Sequence, residues 1–160
     1  MTDPGSEPLV RAARVADLPR LMRLLHQLSL RGERPEAVAH KAGERHRAAL
    51  AEVLADPRYH LLVLEDAARV QGTCVLYVLP GLAHGASPWG VVENVVVEEA
   101  ARGRGYGELL MAEAVKLAWD AGCYKVSLLS NLRRNDAHRF YERIGFQNSH
   151  KGFTRYFSER

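Results

Sequence analysis

The run from Val91 to Asn131 limits the possible folds more than any other stretch. Val91–Glu98 (VVENVVVE) is nearly continuous β-branched sequence, the composition of a strand buried on both faces. Gly105–Ala121 then sets Leu109, Leu110, Ala114, Leu117 and Ala118 along one side of a helix, and Gly122 stands where a left-handed cap is common. Tyr124–Asn131 (YKVSLLSN) reads as a second strand. Two strands joined through a helix run parallel, with a right-handed crossover.

The junction inside this unit, RGRGYGE, places Gly103, Gly105 and Gly107 where helix formers would serve better. The first amides of a helix lack internal partners, and the helix dipole makes that end attractive to anions. Glycines let the backbone turn sharply and approach a phosphate closely, and Arg102 and Arg104 add positive charge. The residues admit two readings: a diphosphate cradle, or a plain tight strand-to-helix turn. No Gly-Lys-Ser/Thr follows, so this is not a Walker loop, and the glycine spacing does not fit a dinucleotide fingerprint.

The rest of the chain supplies the other layers. Leu9–Arg14 is a short first strand, and Asp17 precedes a helix with Leu18, Leu21, Leu25 and Leu28 at helical spacing. Gly32 and Pro35 break it. Pro35–Asp56 is a second helical region, interrupted by Gly43 and stopped by Pro57. Tyr59–Glu65 and Val70–Leu79 form a hairpin turning at Asp66–Arg69, and Pro80–Gly90 is a loop. Asp136–Ile144 is a short helix closed by Gly145; Phe146 and Gly152–Ser158 read as final strands. The expected fold is mixed α+β, one domain over residues 1–160 with residues 1–8 loose.

Composition excludes several classes. No apolar run approaches the roughly 20 residues of a membrane span, and the polar start MTDPGSEP is not a secretory signal. A net charge of +3 is too mild to imply nucleic acid, although Arg102, Arg104, Arg133, Arg134, Arg139 and Arg143 gather in the C-terminal half. They are either a solvated face or a polyphosphate contact. Cys74 and Cys123 sit in apolar segments, as buried free thiols of a reducing, cytoplasmic setting do. No histidine pair has a metal spacing with a carboxylate, so no metal is expected; His138 reads as structural, while His84 and His150 are candidates to line a site.

VENVVVEEAARGRGYGELLMAEA resembles motif A of the GNAT N-acetyltransferases, whose pattern Arg/Gln-x-x-Gly-x-Gly/Ala is met by Arg102 to Gly107. NDAHRFYERIGF (Asn135–Phe146) resembles motif B of the same family. The resemblance spans Leu9–Phe157 in element order and is strong over Val91–Phe146. It implies a six- or seven-stranded, mostly antiparallel sheet with a splayed parallel pair and about four flanking helices. It also implies acetyl-coenzyme A as co-substrate. Val95, Val96 and Val97 would pair with its pantetheine arm, and the amides of Gly103, Arg104, Gly105, Tyr106, Gly107 and Glu108, with Arg102 beside them, would hold its diphosphate.

The transfer needs a neutral amine and a protonated leaving thiol, and a free alkylammonium has a pKa of about 10. By the resemblance, Tyr141 gives a proton to the thiolate. Glu93 is the base candidate, or else a contact for the substrate cation; by strand alternation it shares a face with Val95 and Val97. The bland alternatives are an aromatic wedge for Tyr141 and a salt bridge for Glu93. The family's motif B asparagine, seven residues before the tyrosine, is Arg134 here; Asn135 and Asn131 are the candidates to replace its coenzyme contact.

The expected acceptor is a small primary amine, attacking directly in a ternary complex. A protein or peptide acetyltransferase and a non-catalytic acyl-coenzyme A-binding module are the alternatives. DPRYHLLVLED (Asp56–Asp66) and NDAHRFYERIGFQNSHKGFTRYF (Asn135–Phe157) have a narrower likeness to the aminoalkylphosphonate N-acetyltransferases, which would imply a small amine, neutral or anionic, and a divalent ion. The loop Pro80–Gly90 and the region Gly32–Arg47 would cap the acceptor groove. Strand edges near the C-terminus could pair two copies into a homodimer.

Overall fold

The computed structural model describes residues 7–28 and 43–157. The start of the chain, the helix-breaking Gly32 and Pro35, the first part of the Pro35–Asp56 region, His40 and Ser158 therefore lie outside the described residues. The chain divides into two compact units, residues 1–127 and 128–160.

The first unit is built on a sheet in the order β1 (Leu9–Ala12), β2 (Tyr59–Asp66), β3 (Arg69–Leu79), β4 (Trp89–Val97) and β5 (Val126–Leu128). The first four are antiparallel neighbours. Tyr124 N donates to Pro88 O (3.0 Å) and Gly90 N to Lys125 O (2.9 Å), so β5 enters beside β4 in the same direction. The parallel pair read from the sequence is present. β5 is shorter than the Tyr124–Asn131 span: it ends as a strand at Leu128, whereas β4 runs on to Val97.

The β2–β3 hairpin closes through Ala67 (φ 48°) and Ala68 (φ 58°), two left-handed residues whose twist matches that of the strands. A bulge follows: Glu65 pairs with Val70 but Leu64 with Gly72, leaving Gln71 extra.

Helix α1 (Leu18–His26) lays Leu21 and Leu24 on one sheet face, in a core with Val63, Val70 and Val96. Helix α2 (Glu44–Ala55) adds Leu50 beside Leu18 and Met22. The opposite face is covered by α4 (Tyr106–Asp120), which follows the single turn α3 (Ala83–Ala86). Tyr106, Leu110, Ala114 and Ala118, each four residues apart, are buried together with Met111. Leu109, expected on that side, is 41% exposed, one helical position off the stripe. A Cβ on Gly90 would sit 3.4 Å from the Ala118 Cβ and 3.0 Å from Leu76 Cδ1, so glycine lets α4 cross β4 closely.

The second unit carries α5 (Asn135–Arg143), within one residue of its expected start and end. The six- or seven-strand expectation is corrected here. The described residues form five strands, and Phe146 and Gly152–Phe157 are irregular, most of them exposed. Their aromatic content favours a strand, but without a ladder partner an extended run gains no pairing. No described helix is long and apolar enough to cross a membrane.

Candidate active site

The glycine junction is a turn from β4 into α4. A short helical turn at Glu99–Ala101 leads to Arg102, whose Nε donates to Val97 O at 3.3 Å. Gly103 (φ 78°) and Gly105 (φ 80°) are left-handed, and a Cβ on either would meet nothing within 4 Å. Arg102, Gly103, Arg104 and Gly105 are exposed. Gly105 is the cap residue just before α4, and its carbonyl accepts from Leu109 N at 3.1 Å. The amides of Tyr106, Gly107 and Glu108 thus belong to the first turn of α4, directly after the exposed Gly103 and Gly105. The Tyr106 side chain points away from this role: it is buried, and its hydroxyl donates to Asp66 at the hairpin turn.

Glu98 fixes the base of the turn. Its amide donates to Gln71 O, the bulge residue of β3, at 2.7 Å. Its carboxylate accepts from Arg20 Nη2 (2.6 Å), Gln27 Nε2 (3.0 Å) and Glu99 N (3.0 Å). Arg20 Nε also reaches Val70 O at 2.7 Å. Partial burial pushes the Glu98 carboxyl up, but the hydrogen bonds from Arg20 and Gln27 and the Arg20 charge more than offset this and leave it lowered.

Strand β4 is not evenly pleated. Val96 pairs with Thr73 but Glu93 with Val75, so Asn94 and Val95 together oppose Cys74. Asn94 takes up the extra residue at φ 55°. This corrects the alternation argument for Glu93. Cross-strand partners share a face, so Glu93 and Val96 lie with Val75 and Thr73 on the α1 side, while Val97 lies with Gly72 on the α4 side. Glu93 and Asn94 are also exposed, not buried on both faces as the apolar run suggested; Val92 and Val96 are buried. None of the ion pairs among the described residues engages Glu93. Nearby atoms still shield it enough for desolvation to push its carboxyl above the usual value.

Two residues on that face were missed by sequence reasoning. Tyr59 pairs with Tyr77 across β2 and β3, and Tyr77 with Val91, one pleat row from Leu61–Val75–Glu93. The Tyr59 and Tyr77 rings lie 5.5 Å apart, inclined at 47°. Counting evenly back from the hairpin turn would pair Tyr59 with Leu76; the Gln71 bulge shifts it to Tyr77. That shift hid the aromatic pair, whose only sequence signal was a tyrosine at the far end of each hairpin strand.

In the second unit, Tyr141 is half-buried on α5, edge-on to Phe140 (5.2 Å) and Phe146 (6.0 Å). Asn135 begins the helix and is exposed. Asn131 Oδ1 accepts from Arg133 N at 2.9 Å, and its carbonyl accepts from Arg134 N at 2.9 Å and lies 3.0 Å from His138 Nε2. His138 therefore ties the 131–134 loop to α5, a structural part. His84 stacks on Tyr124 at 4.1 Å, and His150 Nδ1 contacts Ser149 Oγ at 2.8 Å. No cluster of metal-ligating side chains occurs among the described residues. Cys74 is buried and its thiol is pushed up to about 12 by desolvation, while Cys123 is only half-buried.

The profile of the acetyltransferase (GNAT) family matches residues 22–146. The chain is 36% identical over 102 residues to an aminoalkylphosphonate N-acetyltransferase of Salmonella typhimurium, covering 64% of this chain and 66% of that one. Against glucosamine 6-phosphate N-acetyltransferase 1 of Oryza sativa it is 35% identical over 146 residues, 89% of this chain and 82% of the relative. A Trypanosoma brucei acetyltransferase superposes with a TM-score of 0.77 at 25% identity, over 95% of this chain and 100% of that one. The chain spans less than two thirds of the Salmonella relative's length, and of several others it matches.

Proposed function

Because the chain belongs to the acetyltransferase (GNAT) family, we propose that it transfers the acetyl group of acetyl-coenzyme A to the primary amine of a small molecule, by direct attack in a ternary complex. The observation that carries this reading is the open glycine turn between β4 and α4. A Cβ on Gly103 or Gly105 would meet nothing within 4 Å, the first-turn amides of α4 follow directly in the chain, and Arg102 and Arg104 flank Gly103. That donor set suits a diphosphate.

When bound, the coenzyme supplies an activated thioester. Val95, Val96 and Val97 would lie along its pantetheine arm, and Arg102 with the amides from Gly103 to Glu108 would hold its diphosphate. Glu93, a carboxylate with a raised pKa and no ion-pair partner among the described residues, would take the ammonium proton through water. Tyr141, by its match to motif B, would protonate the departing thiolate. Asn131 and Asn135 would share the coenzyme contact of the family's motif B asparagine, whose position is held here by Arg134.

The relatives' names point to amines bearing a phosphate or phosphonate, so the panel holds aminoalkylphosphonates and glucosamine 6-phosphate, with a short peptide amine for the alternative acceptor, each assayed by thiol release. Turnover is expected with at least one small amine, and saturating acetyl-coenzyme A is expected to raise the melting temperature by binding only the folded state. Tyr141→Phe should cut kcat and leave the coenzyme shift intact. A folded protein without that shift, or an unchanged kcat in Tyr141→Phe, would overturn the reading or the tyrosine's role respectively.

A further inference from the structure

The α1 side of the sheet is roofed unevenly. The row Val63–Thr73–Val96 is sealed under Leu21 and Leu24 of α1. The next row, Leu61–Val75–Glu93, is covered at its Leu61 end, which packs against Leu18, Met22 and Leu50. Its Glu93 end is exposed. The row beyond, Tyr59–Tyr77–Val91, is half-buried throughout. The roof thus thins toward a shelf that has a carboxylate at one corner and two aromatic rings beside it.

The rings have the geometry of a cation wall. Tyr59 and Tyr77 meet at 5.5 Å and 47°, so they form an inclined corner and not a flat stack. Tyr77 already holds one cation, the Arg58 guanidinium, 5.8 Å from its centroid. Arg58 is itself neutralised by Asp56, with Nε–Oδ1 at 3.1 Å and Nη2–Oδ2 at 3.2 Å. The field of Glu93 reaches Tyr59: burial first, and then the Glu93 charge, hold its phenol above the usual value. A field that resists a second negative charge there favours a positive one.

Resting on the acetyltransferase reading, we infer that Tyr59 and Tyr77, with Glu93, form the binding site for the acceptor's ammonium group: the amine arrives as a cation, its charge shared between the Glu93 carboxylate and the tyrosine faces, before it gives up a proton. This makes the two tyrosines binding and specificity residues and selects a compact primary alkylammonium over a neutral molecule of the same shape. A quaternary ammonium should enter the same corner without reacting.

The test uses the full chain with propylammonium chloride and 1-propanol, a cation and its neutral near-isostere, titrated while the tyrosine ring resonances are followed by NMR. Propylammonium should shift the Tyr59 and Tyr77 signals saturably, and 1-propanol should not at the same concentrations. Tyr59→Leu should weaken propylammonium about three- to tenfold, and Glu93→Gln by at least as much. Tyr59→Phe, which keeps the ring face, should bind like the wild type. Equal shifts from the two probes, or a Tyr59→Phe loss equal to that of Tyr59→Leu, would overturn the inference. The acetyl-coenzyme A melting shift, measured on the same samples, separates the failures: its presence with no ammonium binding sinks only the aromatic site, and its absence in the wild type sinks the acetyltransferase reading itself.

Discussion

Replacing Glu98 by glutamine tests whether the glycine turn is held from below. The substitution keeps the side chain's shape and removes its charge. Arg20 and Glu98 are each 22% exposed at the side chain, so the bridge is largely but not fully desolvated. A hydrogen bond to a charged group is worth about 1.5–3 kcal/mol. Glutamine would also set an NH2 group against one of three donors: Arg20 Nη2, Gln27 Nε2 or Glu99 N. A loss of about 2 kcal/mol follows, or roughly 4–8 °C in melting temperature for a chain of this size. The assay is thermal unfolding of the wild type, Glu98→Gln, Arg20→Met and the double variant. The coupling between the sites should be about 1–2 kcal/mol; additivity within about 0.5 kcal/mol would refute the bridge. The sign with pH follows from the lowered Glu98 carboxyl. Its contribution is complete above the unfolded glutamate value and is lost as pH falls through the folded one, so the gap between wild type and Glu98→Gln should close at acid pH. Because the turn would hold a diphosphate, the kinetic damage should fall on acetyl-coenzyme A and spare acetyl-pantetheine, which lacks that group.

Glu93 is shifted the other way, by desolvation, so the rate should fall on the acid side through a pKa above the ordinary carboxylate value; Glu93→Gln should abolish that limb of the pH–rate profile, and an unchanged limb would remove it as the base. Gly105→Ala meets no atom within 4 Å but must hold a φ of 80°, so unfolding measurements should show a loss of about 1–2 kcal/mol, with a smaller melting shift from acetyl-coenzyme A. Tyr106→Phe removes the hydroxyl bonded to Asp66 from a buried site and should cost about 1 kcal/mol by urea unfolding while leaving the coenzyme shift in place.

What was legible in the sequence was local. The β-branched run, the glycines and the four-residue stripe of α4 each declare themselves within a few positions, so the parallel unit and its turn could be read directly. Leu109 was misplaced because Leu109 and Leu110 are adjacent and only packing decides which one faces the sheet. The C-terminal aromatics carried strand propensity, which says nothing about whether a partner strand exists. The least legible features were the two bulges, at Gln71 and Asn94. A bulge costs one residue of register and leaves composition untouched, yet it decides which side chains meet.

The Asn94 bulge shows how much turns on that one residue. Side chains in a strand alternate, so an inserted residue moves everything beyond it to the other face. Val92 and Val97 both lie on the α4 side, paired with Leu76 and Gly72, although they are an odd number of positions apart. Without the extra residue, a β4 fixed by Val97 would turn Glu93 toward α4, among the buried Leu110 and Ala114. An unpaired carboxylate there would cost several kcal/mol or be neutralised by a proton. A β4 fixed instead by Val92 would lose the burial of Val96 against Leu21 and Leu24. Only the bulged register seals the apolar end of β4 on both faces and leaves its carboxylate at the rim of the α1 roof, beside two tyrosines and open to solvent.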